Sequence, residues 1–145
     1  MRIGGRALTA NYTAVQTGDA ADFVTTLVGA LIQKPFSIPE LDWMYSGATP
    51  VTTTTDVALK AAPGAGIRNY LTGIQIQNTS TTATEVVIKD GATVIWRGYA
   101  PASMTVCADM TFPTPLRTTA AAALNFACIT TAANVYVNAQ GYQAP

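Results

Sequence analysis

The segment from Thr84 to Gly98 (TEVVIKDGATVIWRG) joins two runs of β-branched and aromatic residues through the dipeptide Asp90-Gly91. This pattern predicts a β-hairpin with a two-residue turn. With Asp90 and Gly91 as the turn, apolar side chains fall on both faces of the hairpin: Val87, Val94 and Trp96 on one, and Val86, Ile88 and Ile95 on the other. A hairpin with one solvated face would alternate apolar and polar residues. Each apolar face is therefore expected to be buried against something. The core of a sandwich would cover one face, and either more of the same chain or another subunit would cover the other.

Further strand-like segments recur from Thr49 onward, with turn residues between them, at a spacing of about ten residues. With the hairpin, the predicted strands span residues 50–59, 69–78, 84–98, 104–112, 122–130 and 134–138. About seven or eight short strands at this spacing are typical of an antiparallel sandwich, either jelly-roll-like or immunoglobulin-like. The chain lacks the Cys–Trp–Cys pattern of a true immunoglobulin domain. The sequence thus predicts an all-β fold, an antiparallel, jelly-roll-like β-sandwich over residues 46–145 with an extended N-terminal arm over residues 1–45.

Alternation within the strands predicts which side chains face the core. Ile74 and Ile76 share one face of their strand, and Gln75 and Gln77 share the other. The other inward positions are Leu124, Phe126, Cys128, Val135 and Val137. The strand over residues 104–112 is expected to stop at Pro113 and Pro115, because proline cannot donate to a strand ladder.

The first 45 residues differ in composition from the rest of the chain. Residues 2–18 are small, polar and rich in Gly and Thr, which predicts an extended arm. Residues 19–34 fit either a helix with Asp19 as its N-cap or a strand bent at Gly29, and their β-branched residues favour the strand slightly. Pro35 and Pro39 then interrupt regular structure.

An aromatic cluster in residues 41–47 (LDWMYSG) follows these prolines. It packs either onto its own domain or onto a neighbouring subunit, and the sequence leaves both alternatives open. Large apolar and aromatic side chains dominate most protein interfaces, and arginines in the arm can reach acidic groups of a partner. The predicted contact residues are Arg2, Arg6, Phe23, Leu27, Leu31, Phe36, Trp43 and Tyr45.

Charge is sparse and balanced in this chain. Charged residues make up 11% of the sequence, with 8 Lys and Arg against 8 Asp and Glu, whereas soluble domains average about 25%. Nucleic-acid binding requires clustered Lys and Arg, so no nucleic-acid partner is expected. Copies with so little charge repel one another weakly, which favours a homo-oligomer held in a larger assembly.

The sequence offers little for catalysis or metal binding. It contains no histidine, the commonest general base and metal ligand. Serine-nucleophile, calcium-loop and phosphate-loop motifs are missing, so no enzymatic activity, cofactor or metal is expected. Glu85, Asp90 and Asp109 could share a sheet edge, as paired hydrolase carboxylates must, but Asp90 is already explained by the turn. The aromatic candidates for stacking on a sugar are Trp96, Tyr99, Tyr136 and Tyr142.

Two further features bear on the compartment in which the protein folds. Cys107 and Cys128 are expected to be buried thiols, although neighbouring strands would allow a disulfide. The longest nearly apolar run, residues 23–32, is about half the length of a bilayer crossing, and the N-terminus has no apolar signal-peptide segment. We therefore expect folding in a cytosol and no membrane partner.

Two long segments, Gly64–Met104 and Phe112–Pro145, resemble small virion proteins of tailed bacteriophages. The residues that carry the resemblance are the hairpin IKDGATVIWRG and the C-terminal NVYVNAQGY, and the N-terminal segment GALIQKPFSIPE is similar to the same family. The resemblance implies a head decoration (cement) protein, which is commonly a trimer on the exterior of the virion and contacts the major capsid protein, after assembly in the host cytoplasm. A phage tail or fibre subunit that binds a host receptor or carbohydrate is the alternative. The shared motifs are structural, so the resemblance assigns no catalytic residues.

Overall fold

The computed structural model describes residues 6–7, 24–25 and 41–145. The strands in these ranges are β1 (Arg6–Ala7), β2 (Val24–Thr25), β3 (Asp42–Ser46), β4 (Val57–Lys60), β5 (Arg68–Asn78), β6 (Thr84–Asp90), β7 (Thr93–Ala100), β8 (Ala108–Arg117), β9 (Leu124–Cys128) and β10 (Val135–Ala144). β1 and β2 pair in parallel, with Arg6 opposite Val24. Val24–Thr25 is thus a strand, as favoured for the ambiguous segment 19–34, and the rest of that segment lies outside the described residues.

Strands β3 to β10 form two antiparallel four-stranded sheets. The first has the order β3-β10-β5-β8 and the second has the order β4-β9-β6-β7. The fold is therefore the all-β sandwich that the alternating pattern predicts.

The connectivity of the two sheets follows one simple rule. β6 pairs with β7, β5 with β8, β4 with β9, and β3 with β10. These four pairings describe a single long antiparallel ribbon whose tip is the β6–β7 turn, wrapped so that successive strands enter alternate sheets. β10–β5 and β9–β6 pairing then joins the layers of the ribbon within each sheet. This wrapped, double-sheet arrangement of eight strands is a jelly roll.

The core fills the space between the two sheets and follows the predicted alternation. Ile74 and Ile76 are buried while Gln75 is exposed and Gln77 half-buried. The predicted inward residues are all fully buried: Leu124, Phe126, Cys128, Val135 and Val137. Burying each such aliphatic or aromatic side chain contributes about 1.5–3 kcal/mol.

The predicted register of the hairpin is wrong, and so is its turn. Asp90 is the last residue of β6 and pairs with Thr93, so the two-residue loop is Gly91-Ala92. A positive φ of 56° at Gly91 is what a type II′ turn requires at its first loop position. An irregularity between Ile88 and Lys89 then shifts the pairing by a further residue.

This shift changes the face on which Trp96 lies. Trp96 pairs with Ile88 and packs against the core, rather than lying beside Val87. Val86 and Ile88 belong to the core, and Ile95 packs against it, as predicted. Val87 is fully buried within this chain but lies outside the core cluster. On the second apolar face, Val87 is thus covered within this chain, whereas Val94 is half-buried.

The prolines of β8 do not end the strand, contrary to expectation. β8 continues through Pro113 and Pro115 to Arg117. Its pairing with β5 is irregular there, because Gly73 faces Thr111 whereas Leu71 faces Leu116. β8 is also an edge strand, and an edge or a bulge is where a strand tolerates proline.

The body of the sandwich begins earlier than the predicted boundary at residue 46. β3 spans Asp42–Ser46 and pairs with β10, with Trp43 opposite Gly141. The approach is close, because a Cβ added to Gly141 would lie 2.7 Å from Trp43 Cζ2 and 1.8 Å from the Tyr70 carbonyl oxygen. Only a glycine lets β10 pack this tightly between β3 and β5.

Two fully buried asparagines tie the loops together, one near each end of β5. Asn69 donates from Nδ2 to the carbonyls of Ala61 and Ala122, each at 3.1 Å. Asn78 donates from Nδ2 to the carbonyls of Thr82 and Ala100, at 2.8 and 3.3 Å. Each amide thus links loops from both sheets, which fixes the two ends of the sandwich.

Candidate interaction surface

Five charged side chains in or beside the second sheet have partners within the chain. Lys89 Nζ lies 2.5 Å from Asp56 Oδ1, and Arg97 lies 2.6 Å from Glu85 Oε1. Asp90 Oδ2 accepts a hydrogen bond from the backbone N–H of Thr119 at 2.9 Å, which fixes the loop before β9. These groups already have structural partners.

The carboxylates considered for hydrolysis do not converge. Glu85 and Asp90 lie on β6 in the second sheet, whereas Asp109 lies on β8 in the first. Among residues 41–145, and in β1 and β2, no three His, Cys, Asp or Glu side chains are grouped to hold a metal ion. The same described residues include no helix long and apolar enough to span a membrane.

The two cysteines have different environments, and neither forms a disulfide. Cys128 is buried, and burial raises the pKa of its thiol from 9.0 to about 11. Cys107 is exposed, contrary to the expectation that both thiols are buried, because it precedes β8 in a surface loop. Its Sγ lies 3.6 Å from Gln77 Oε1.

Part of the outer face of the first sheet carries mostly neutral, exposed side chains. We call it the amide face. It comprises ten outward-pointing residues of β3, β10, β5 and β8, with Cys107 at its margin: Met44, Ser46, Tyr136, Asn138, Gln140, Gly73, Gln75, Gln77, Asp109 and Thr111. Asp109 is the one charged residue among these ten. The next row on the same side of the sheet carries Asp42 on β3 and Arg117 on β8, which border the amide face. The opposite outer face, on the second sheet, carries both ion pairs instead.

Strand register arranges the amide face in rows that cross the sheet. One row runs Met44, Gln140, Gly73 and Thr111, and the next runs Ser46, Asn138, Gln75 and Asp109. A depression of about 170 Å3 lies across these rows, with Met44, Gly73 and Gln140 among its lining residues. Asp109 also lines the depression, and the Gln140 side chain lies over Gly73, which is itself buried.

An exposed apolar side chain stands beside this depression. Met44 is 82% exposed, although its neighbour Trp43 is 7% exposed. Tyr136, on the same face, is 37% exposed. A large apolar group that projects from a sheet face next to an unfilled hollow is the kind of shape that a complementary surface can cover.

The eight predicted contact residues are distributed as follows. Trp43 lies in the core of its own chain, and Tyr45 packs against that core. Trp43 Nε1 is buried and has no hydrogen-bond partner among the described residues. Arg6 lies in β1. The remaining five lie outside the described residues: Arg2, Phe23, Leu27, Leu31 and Phe36.

The four aromatic candidates for sugar stacking do not form one platform. Tyr142 stacks on Tyr70 with ring centroids 4.8 Å apart and is buried. Trp96 meets Phe112 edge-on at 5.9 Å. Tyr99 is 65% exposed but belongs to the second sheet, whereas Tyr136 belongs to the first.

Sequence reasoning missed Met44 and Gly73 as surface features. Met44 lies between two aromatic residues in the sequence, but strict alternation in DWMYS puts it on the face opposite Trp43. A glycine inside a strand often marks a close approach of another surface, and Gly73 in NYLTGIQIQN carries that signal. The pairing of β3 with β5 through β10, which brings both residues into one row, has no sequence signal.

No protein-family model and no curated protein matches the chain. Solved structures similar to it at low identity include two viral ones. The virus-like particle of extra small virus from the giant freshwater prawn Macrobrachium rosenbergii is 9% identical with a TM-score of 0.37, over 93% of this chain and 96% of that chain. The Tobacco streak virus coat protein is 13% identical with a TM-score of 0.32, over 75% of this chain and 92% of that chain. Likenesses this weak carry no argument about role.

Proposed function

We propose that this protein is a structural component of a virus particle, a decoration (cement) protein that binds the exterior of a capsid and stabilises it. The amide face carries the proposal: a rigid sandwich presents a wide, neutral, exposed sheet face with an apolar projection. A protein that works by covering area needs such a face and has no need of a reactive site.

The chemistry of the described residues agrees with a non-enzymatic role. Lys89 with Asp56, and Arg97 with Glu85, form ion pairs within the chain, and the described part of the sandwich gathers no group of metal-binding side chains. The sparse charge of the chain offers nothing to nucleic acid. The partners that we propose are the major capsid protein and other copies of this chain, in a homo-oligomer such as a trimer.

The resemblance of Gly64–Met104 and Phe112–Pro145 to small virion proteins of tailed phages suggests the kind of particle. On that basis we propose that the protein assembles in the host cytoplasm and occupies the outside of a phage head. Trp43 and Tyr45 pack into or against the core of their own chain. The other six predicted contact residues remain our prediction for the segment that contacts a neighbour, with the exposed amide face as a second contact: Arg2, Arg6, Phe23, Leu27, Leu31 and Phe36.

A binding and stability assay tests this function. Capsids of the encoding virus, assembled without this protein, would be mixed with the purified full chain and sedimented. Saturable binding at many copies per shell, with a rise in the temperature at which shells open, is the expected result. An absence of binding, or binding without any gain in shell stability, would contradict the proposal.

The alternative is a tail or fibre subunit that binds a host receptor or carbohydrate. The exposed rings of Tyr99 and Tyr136 are the observation in its favour, because sugar rings stack on aromatic faces. Stoichiometry separates the two functions, since a tail subunit would occur at few copies per particle and would bind glycans through those rings. Loss of glycan binding in Y99A or Y136A would support this alternative.

A further inference from the structure

We propose that the amide face is a self-association surface, on which a second copy of this chain docks about a two-fold axis. This inference deepens the proposed function, because a protein that coats a shell meets its own copies at high density. It rests on the chemistry of the face and on the strand register.

The chemistry of the face suits a copy of itself. Gln75, Gln77, Asn138 and Gln140 are neutral, and each amide carries both donors and an acceptor. Such groups can pair with their own counterparts, whereas a surface with one sign of charge would repel its copy. The charged residues of the face and its border, Asp109, Asp42 and Arg117, lie on the edge strands β8 and β3 rather than in the middle.

The register supplies a symmetric projection and hollow. Met44 on β3 and Gly73 on β5 both pair with Gln140, so they lie on either side of β10 in one row. An axis that runs along β10, midway between two facing sheets, exchanges the positions of β3 and β5. Each Met44 then lies over the other copy's Gly73 and the Gln140 side chain that covers it, at the depression of about 170 Å3 that these residues line.

The same two-fold rotation also fixes where the other residues of the amide face lie. Tyr136, Asn138 and Gln140 of β10 lie on the axis and meet their own counterparts. Asp109 lies two strands from the axis, because β5 separates β8 from β10. With strands about 4.8 Å apart, its image falls beyond the partner's β3, and the two carboxylates stay about 20 Å apart.

The size of the face predicts a weak contact. Four strands and three rows cover about 400 Å2 per copy, roughly half of a standard interface of about 800 Å2 per partner. The dimer should therefore form at high local concentration and dissociate on dilution. A two-fold contact cannot close a three-fold ring, so in a decorated shell it would link copies from different trimers.

Crosslinking tests the position of the axis. The full chain carrying C107S would be compared with its N138C and D109C derivatives, using a short bismaleimide, while Cys128 is protected by burial. We expect covalent dimers from N138C, whose thiols face each other across the axis, and none from D109C. Equal crosslinking of both variants, or none from N138C at high protein concentration, would overturn the proposed axis.

Sedimentation equilibrium tests the Met44–Gly73 contact. M44E puts a charge into the hollow, and G73V fills it; a Cβ at Gly73 would meet only the flexible end of Gln140 at 3.2 Å and the Met110 carbonyl at 3.5 Å. Each change should weaken dimerisation about tenfold, and the double variant should lose little more. The matched control, Y99E, alters an exposed aromatic on the other sheet and should leave dimerisation unchanged.

The failures of the two proposals are distinguishable. If M44E dimerises like the wild type, the docking surface is wrong, whatever the protein does on a shell. If the wild type dimerises as described but does not bind capsids, the cement function is wrong and the surface stands.

Discussion

Replacing Asn78 should destabilise the protein severely, because this polar side chain is buried and holds several chain segments together. Asn78 is fully buried at the end of β5 and uses all four of its hydrogen-bonding positions. Besides its two donated bonds, Oδ1 accepts from the backbone N–H groups of Ser80 at 3.1 Å and Asn134 at 3.2 Å. One amide thus joins the β5–β6 loop, the end of β7 and the β9–β10 loop.

The expected cost follows from these bonds. Each contributes about 0.5–1.5 kcal/mol net, and each buried backbone group left unpaired costs about 1–3 kcal/mol more. N78A should therefore lower the free energy of unfolding by about 3–5 kcal/mol, out of a total of about 5–15 kcal/mol for a domain of this kind. For this chain length the melting temperature should fall by roughly 10 °C.

Urea denaturation followed by tryptophan fluorescence measures this change, since Trp43 and Trp96 both pack in or against the core. The control is N138A, which removes an exposed amide and should stay within about 0.5 kcal/mol of the wild type. N78D supplies a second test, because a carboxylate would face the carbonyls of Thr82 and Ala100. Its stability should fall as pH rises above about 4, since those carbonyls favour the protonated acid. If the free energy of unfolding of N78A lies within about 1 kcal/mol of the wild-type value, Asn78 does not hold these segments together as inferred.

Three further predictions concern a tight glycine and the two thiols. G141A should lower the free energy of unfolding by about 3 kcal/mol or prevent folding, because its Cβ would overlap the Tyr70 carbonyl. The control is G64A, whose Cβ would meet nothing within 4 Å. Equal urea midpoints for the two variants would contradict the close packing at Gly141. A thiol reagent should modify Cys107 in the folded protein and Cys128 only after unfolding; one fast and one slow reaction in mass spectrometry is the expected result, and two fast ones would refute it. Burial raises the pKa of Cys128 from 9.0 to about 11, so the folded state holds this proton more tightly than the unfolded state. The stabilisation is fully present below pH 9, and about 2–3 kcal/mol of it is lost by pH 11. The C128A variant should lack that loss, and parallel pH profiles of the two proteins would contradict the prediction.

The sequence predicted the sandwich because alternation is a local property. Ile74 with Ile76, and Leu124 with Phe126, could each be assigned to the core from their own strand, since side chains two residues apart share a face. The spacing of the strands then indicated two antiparallel sheets, as found.

Register could not be predicted in the same way. The two-residue turn is Gly91-Ala92 rather than Asp90-Gly91, and Asp90 instead accepts a hydrogen bond from Thr119, 29 residues away. Pro113 and Pro115 were interpreted as strand terminators, but their tolerance depends on β8 being an edge strand, which is a property of the whole sheet.

The candidate interaction surface was the least predictable part. Met44 and Gly73 lie in one row only because β10 separates β3 from β5. No sequence feature near Met44 or Gly73 specifies that β10 lies between their two strands. The exposure of Cys107 has the same origin, since it depends on where a loop crosses the surface.

The position of β10 has a consequence for how the protein is made. β10 comes last in chain order, yet it lies between β3 and β5 in its sheet. During synthesis, β3 has no pairing partner until β10 has emerged from the ribosome. This requires about a hundred further residues, added at roughly 5–20 per second. The nascent chain thus carries an unpaired β3 for several seconds, and factors that shield exposed strands during translation should raise the yield of folded protein.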